Sequence, residues 1–174
     1  MNQQVNVFDY AGHICESMKK GILLTTKSGE KVNTMTIGWG SVGIEWGRAI
    51  FVAYVRVGRH TRQMLDDNGE FTVNIPYGDF DSKILGFCGT KSGRDVDKIA
   101  EMGLDLVDSS VVSVRGIRQF PFWSARFFAG SCRIFLCFRS RFSTVTILPV
   151  LTVLTPARMR TIILPTMAKL STPT

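Results

Sequence analysis

Between Asn33 and Pro76 the chain crowds β-prone runs, glycines and one helical run so closely that a parallel sheet with long crossover helices has no room. Val32–Trp39 and Phe71–Ile75 read as strands, the second closed by Pro76. The apolar run Ala49–Val55 predicts a strand buried on both faces. Arg56 ends that strand, Thr61 suits a helix N-cap, and the helical run through Gln63, Met64 and Leu65 stops at Asn68-Gly69. Gly38, Gly40, Gly43 and Gly47 surround Trp39 and Trp46 and read as a glycine-rich loop stapled by two tryptophans.

The flanking chain follows the same short-element plan. Asp9 is placed to cap a helix with Ala11, Ile14, Cys15 and Met18 on its apolar face, stopped by Gly21. Cys15 is then a core residue and His13 a surface or packing one. Ile22–Thr26 forms a hairpin with Val32–Trp39 across Lys27-Ser-Gly-Glu30. After Pro76, Asp79 or Asp81 starts a helix with Ile84, Leu85 and Phe87 as its apolar side. Cys88-Gly-Thr-Lys-Ser-Gly-Arg-Asp95 reads as a polar loop, and Asp95 as the cap of a helix over Val96–Met102 that ends at Gly103. The fold class expected is mainly β with helices, a small barrel with helical excursions.

Charge divides the chain in two. All 14 acidic residues and 12 of the 21 basic ones lie between Asp9 and Asp108, so that part carries −2. From Ser109 onward there are nine basic residues, Arg115 through Lys169, and no acid. The overall charge of +7 therefore belongs to one segment, which lacks the lysine runs and aromatic interleaving of a nucleic-acid surface. The four cysteines (15, 88, 132 and 137) form no C-x-x-C pair, which argues against zinc and a disulfide framework. The N-terminus lacks a signal-peptide pattern, and the apolar stretch around Phe127–Phe138 is short and interrupted by Arg133. A cytoplasmic setting away from membranes is the expectation.

The chemistry gathers at the end of the Ala49–Val55 strand. Arg56, Gly58, Arg59 and Thr61 stand where a strand gives way to a helix, and free N–H groups, the helix dipole and two guanidiniums there favour a phosphate. Asn33, Thr34, Met35, Thr36 and Trp39 lie on a facing strand, which suits an apolar wall for a flat ring and equally a packed hairpin. No G-x-G-x-x-G follows a strand, no nucleophile elbow surrounds Ser41, and Asp66-Asp67 reads as a solubilising pair. Cys88 reads as a buried structural thiol.

The stretches N-T-M-T-I-G-W-G, R-V-G-R-H-T, E-F-T-V-N-I-P and C-G-T-K-S-G-R-D-V-D-K, in that order, resemble the flavin reductase family, which includes flavoredoxin-like proteins. The resemblance covers about Val7 to Pro121. It implies an FMN-binding split β-barrel, with FMN bound at a homodimer interface. The phosphate would sit on Arg56, Gly58, Arg59 and Thr61 and the ring against Thr34–Trp39. Lys91, Ser92 and Gly93 fall in a segment that the family places near the flavin or the pyridine nucleotide. Family members often have serine where this chain has Gly58. The implied activity passes electrons from NAD(P)H through flavin to free flavin, a redox partner protein or another acceptor. An FMN-binding electron carrier without NAD(P)H activity, and an inactive product, are the alternatives.

After Pro121 the resemblance stops. The family continues with a strand like L-E-C-K-V and closes with one like Y-Y-G-E-I-V, and neither stands in this chain. The ending ARMRTIILPTMAKLSTPT, however, admits codons that read GANEDYHTTYYGEIVDAY when taken from one nucleotide earlier. FWSARFFAGSCRIFLCF likewise admits FLECKVFCRQLQDLS. The shifted codons inherit their last two bases from the given residues, so a long family-like reading is hard to obtain by chance. Residues 1–121 are accordingly read as a split-barrel domain and 122–174 as an out-of-frame tail, which leaves the barrel incomplete at its C-terminus with open edges. The rival reading is a genuine divergent segment, β-rich and punctuated by Thr and Pro. Sequencing the gene across the codons for Gln119 to Trp123 in independent isolates should reveal a slipped frame, and an intact frame encoding this same tail would exclude one.

Overall fold

Glycines with positive φ punctuate the first third of the chain. The computed structural model describes residues 3–4, 6–45, 48–109, 112–120, 122–125, 142–147 and 151–153. After strand β1 (Gln3–Gln4) and a 3-10 turn (Val7–Tyr10), helix α1 (Ala11–Lys20) stops at Gly21 (φ 116°), whose N–H donates to the carbonyls of Ser17 and Met18. Gly29 (φ 55°) opens the tight turn of a hairpin between β2 (Ile22–Ser28) and β3 (Lys31–Ile37). The chain then changes sheets. Strand β4 (Gly40–Glu45) pairs with β5 (Arg48–Arg56) rather than continuing β3, and Tyr54 N–H donates to the Trp39 carbonyl at 3.1 Å at that corner.

Helix α2 (His60–Asn68) ends at Gly69, in the left-handed region with φ 69°, and leads into β6 (Phe71–Ile75). Helices α3 (Ser82–Thr90) and α4 (Lys98–Glu101) precede the short strands β7 (Leu106–Val107) and β8 (Gly116–Ile117). Three further strands follow: β9 (Phe122–Ala125), β10 (Phe142–Ile147) and β11 (Leu151–Val153). The described strands form a six-stranded antiparallel sheet in the order β1-β11-β9-β6-β2-β3, a three-stranded sheet β10-β5-β4, and the pair β7-β8.

The period-two alternation of strands assigns the two faces of the larger sheet. Ile22, Leu24, Met35, Ile37, Phe71, Val73 and Ile75 face one core with Phe51, Ala53 and Val55 of β5, Ile14 and Met18 of α1, and Leu65 of α2. Leu23 faces a second core, with Ile84, Leu85 and Cys88 of α3 and with Leu104, Ile117 and Phe120. The polar residues of that second face are satisfied among themselves. Thr25 Oγ1 donates to Thr34 Oγ1 (3.0 Å), Asn74 Nδ2 donates to Thr25 Oγ1 (3.0 Å), and Asn74 Oδ1 accepts from Ile117 N–H (2.8 Å).

Several local expectations change. Asp9 lies inside the 3-10 turn, which Asn6 caps, and the buried stripe of α1 is Ile14, Ser17 and Met18 while Cys15 is exposed. The stripe is rotated because Ser17 is near enough to His13 for a 3.4 Å hydrogen bond and tolerates burial. Gly40–Glu45, six residues of the anticipated glycine loop, form β4, and the missing Cβ at Gly40 lets it pass close to β5 and Met18. Trp46, Gly47 and the Phe127–Phe138 stretch lie outside the described residues. Strand β5 buries only one face: Ile50 and Val52 are half-buried and Tyr54 exposed, as in an antiparallel sheet with a single covered side.

The helix starts shift too. Thr61 is the second residue of α2 rather than its N-cap, which is Arg59, because the Thr61 side chain is turned inward. Helix α3 starts after its cap Asp81 and absorbs Cys88, Gly89 and Thr90. Asp97, not Asp95, caps α4, its carboxylate accepting from Ile99 and Ala100 N–H groups, while Asp95 N–H closes a turn onto the Ser92 carbonyl. Gly40 is the tightest point of the sheet corner: an added Cβ would run into the Val52 carbonyl and lie 2.7 Å from Met18 Sδ. Gly40→Ala should therefore lose about 1–3 kcal/mol, read as a lower urea midpoint at unchanged slope. Gly43→Ala on the same strand, with its nearest contact at 3.8 Å, should stay within about 0.5 kcal/mol of wild type.

Candidate functional site

Strand β3 is the terminal strand of the larger sheet among the described residues, so one row of its backbone groups faces away from β2. The segment after α3 crosses this edge and reaches α2 on the other face. Gly93 is the crossing point. A Cβ there would overlap the Asn33 carboxamide and come within 3.2 Å of the His60 ring. Asn33 is itself buried and donates from Nδ2 to Thr61 Oγ1 at 2.9 Å, which fixes the first turn of α2 against β3. Arg94 completes the tie, donating from Nη2 to Gln63 Oε1 at 2.9 Å.

These contacts enclose a cleft of about 180 Å³ lined by Met35, Thr36, Gly58–Thr61, Cys88–Arg94 and Lys98. Arg59, Lys91, Arg94 and Lys98 line it, and no acidic residue does. The first N–H groups of a helix have no intrahelical acceptor, so the start of α2 adds partial positive charge to the same wall. A second cleft of about 120 Å³, lined by Met35–Trp39, Tyr54, Arg56 and Arg59, shares Met35, Thr36 and Arg59 with the first. Pockets for drug-sized ligands run about 300–1,000 Å³, so a ligand larger than a phosphate ester would extend through both.

Of the residues singled out in the sequence, Met35, Thr36, Gly58, Arg59, Thr61, Lys91, Ser92 and Gly93 meet in the first cleft. Arg56 stands apart from Gly58 and Thr61, in the second cleft with Trp39, whose side chain is 60% exposed. Asn33 and Thr34 line neither; their side chains are buried against Thr61 and Thr25 and support the cleft from behind. A Cβ at Gly58 meets nothing within 4 Å, so a serine has room at this position.

Two lining residues, His60 and Lys98, were not singled out beforehand, and a third, Cys88, is the buried thiol expected of it. His60 opens α2 with both ring nitrogens shielded from solvent and without a hydrogen-bond partner. Burial lowers its pKa; the Gln63 side chain opposes this, and Lys31, Arg94 and Lys98 add to the lowering. Cys88 is buried, which pushes its thiol pKa up, only partly countered by Lys98, so it is a packing thiol rather than a nucleophile. Lys98 is only 4% exposed, and its ammonium donates to the Thr34 carbonyl and to the Cys88 carbonyl, each at 2.9 Å. Burial lowers its pKa as well; the proximity of Cys88 raises it and Arg59 lowers it further. In the sequence Lys98 is the last residue of the C-G-T-K-S-G-R-D-V-D-K stretch and falls inside a run read as a helix capped by Asp95, which gives no sign of its burial.

Comparison with known proteins agrees with this geometry. The family model described as "Flavin reductase like domain" matches residues 17–134. The chain belongs to that family. Its fold, mixed sheets and helices, is also that of solved flavin reductase-like structures. Flavoredoxin of Desulfovibrio vulgaris (Miyazaki F) superposes with a TM-score of 0.63 at 19% identity, over 76% of this chain and 68% of that one. The FMN-binding domain of a flavin reductase-like enzyme from Shewanella baltica OS155 gives 0.66 at 12% identity, over 88% and 77%. An NADH:FAD oxidoreductase of Streptomyces globisporus C-1027 gives 0.58 at 15% identity, over 79% and 77%. No curated protein matches the chain. The family match begins ten residues later than the expected Val7 and runs 13 residues past Pro121.

No helix among the described residues is long and apolar enough to cross a membrane, and no group of three or more metal-binding side chains occurs among them. Gly93→Ala should push the Asn33 carboxamide off Thr61, lowering stability by about 1–3 kcal/mol. Loss of protection at the α2 amides in hydrogen exchange, with the β2 amides unchanged, is the expected signature.

Proposed function

We propose that this chain binds FMN and acts as a flavin reductase-like oxidoreductase, passing electrons from NAD(P)H through the flavin to an acceptor. The observation that carries the reading is the cationic cleft at the start of α2, whose lining holds no acid and which shares Met35, Thr36 and Arg59 with a second cleft walled by Trp39 and Tyr54. The residues present fit a phosphate-bearing flavin: a cationic, hydrogen-bonding end and an adjoining wall with aromatic side chains. When bound, FMN would supply the redox chemistry, namely hydride acceptance from reduced nicotinamide and electron release to an acceptor. Arg59, Thr61 and the Gly58 peptide hold the phosphate, Met35, Thr36 and Trp39 orient the ring and exclude water, and Lys91, Ser92 and Gly93 close the side. Arg56 adds charge at the mouth of the second cleft. Asn33 and Thr34 keep the walls in register from behind. Trp39 and Tyr54, which line the second cleft, are exposed aromatic side chains, which supports a homodimer with the cofactor near its interface.

Purified protein should quench FMN fluorescence on titration and oxidise NADH or NADPH when FMN is present. Arg59→Ala should cost about 1.5–3 kcal/mol of FMN binding, the worth of a hydrogen bond to a charged group. Gly58→Ser should add about 0.5–1.5 kcal/mol by supplying a hydroxyl in open space. Flavin binding with both nicotinamides inert would make the chain an electron carrier, and absence of flavin binding would sink the reading.

We also propose that the chain is out of frame from about Phe122. The acid-free tail with its basic residues supports this, as does the family-like peptide recovered by a one-nucleotide shift. The frame as given still supplies β-competent residues there, since Phe122–Ala125 pairs antiparallel with β6.

A further inference from the structure

Lys98 is a cation in an unusual place. Its ammonium is buried, lines the cationic cleft, and faces the Thr34 carbonyl on β3, the Cys88 carbonyl on α3 and, at longer range, the Arg59 guanidinium at the start of α2. No carboxylate joins them: the cleft lining holds none, and the neighbouring Asp97 uses its carboxylate on the N–H groups of Ile99 and Ala100. Two carbonyls satisfy donors but do not neutralise a charge. A buried ammonium without an anion is costly, and a neutral donor would serve the same two carbonyls. The missing element is an anion in the cleft.

We propose that Lys98 is a positioning residue for the phosphate end of the bound flavin. It holds the edge of β3 and the last turn of α3 at fixed spacing beside α2, and it makes that wall select a phosphate ester over a neutral ligand. The inference rests on the FMN reading and sharpens it. Lys98 belongs to the cleft with Gly58, Arg59 and Thr61 and not to the one with Trp39 and Tyr54, so its charge acts on the phosphate end rather than on the ring.

The test compares FMN with riboflavin, which carries the same ring and no phosphate, by fluorescence quenching and calorimetry on the full chain. Wild type should bind FMN more tightly than riboflavin. Lys98→Met should lose at least tenfold in FMN affinity while riboflavin affinity stays within threefold, so the preference collapses. Lys98→Arg, which keeps the charge and the donors, should retain most of the preference; it also serves if the methionine variant does not fold. Parallel loss of both ligands in Lys98→Met, an unchanged FMN-to-riboflavin ratio, or a ratio lost equally in Lys98→Arg would overturn the assignment while leaving FMN binding by wild type intact. Failure of wild type to bind either flavin would overturn the FMN reading itself, and this inference with it.

Discussion

The backbone edge of β3 is the constraint on which the site depends. A terminal strand leaves N–H and C=O groups without a strand partner, and such edges must be covered or protected. Here the cover is the segment after α3. It satisfies the Thr34 carbonyl through Lys98, seats Gly93 against Asn33, and anchors Arg94 to Gln63 on α2. Protecting the edge therefore creates the cleft: the covering segment brings its own cations to the start of a helix.

The two faces of β3 divide the remaining work. Thr34 and Thr36 point toward α3 and the polar network, where Thr36 Oγ1 donates to the Leu85 carbonyl at 2.6 Å. Asn33 and Met35 point toward α2 and the first core. One strand thus fixes α2 and α3 relative to each other, and a small shift of β3 would change both walls of the cleft together. The close approach at Gly93 and the bend into β4 at Gly40 both depend on the absence of a Cβ. Glycine at those two points is a packing requirement, whereas at Gly58 it is not.

Elements with strong local punctuation were legible in the sequence. The hairpin around Gly29, the stops at Gly21, Gly69 and Gly103, and strand Phe71–Ile75 all follow from glycine conformation or β-branched runs that need no tertiary information. What failed was decided by tertiary contacts. Whether Cys15 or Ser17 faces inward depends on where His13 and the sheet lie, and whether Asp95 or Asp97 caps α4 depends on a turn that Ser92 closes first. The site was legible as the Gly58–Thr61 junction and the Lys91–Gly93 segment. Lys98 was not, because a lysine inside a short polar helix looks solvated until a strand edge is placed against it.

The same edge argument bears on the tail. A strand whose residues change stays in a sheet only as long as it still pairs, and its main-chain donors and acceptors are the same whatever its residues, proline apart. Phe122–Ala125 pairs with β6 along Thr72–Ile75, and β6 pairs in turn with β2, so Asn74 sits between two paired neighbours while Asn33 and Thr34 stand on the far edge, away from the tail. Side-chain packing and interface contacts have no such freedom, because they depend on residue identity at each position. A shifted frame would therefore act first on β5, which Phe142–Ile147 pairs along Phe51–Arg56, and through it on the second cleft, which Tyr54 and Arg56 line. The cationic cleft would suffer last, being built wholly from residues 35–98. The two clefts are separable on this geometry: under the proposed FMN reading, a damaged tail would leave the wall assigned to the phosphate in place and disturb first the wall assigned to the ring.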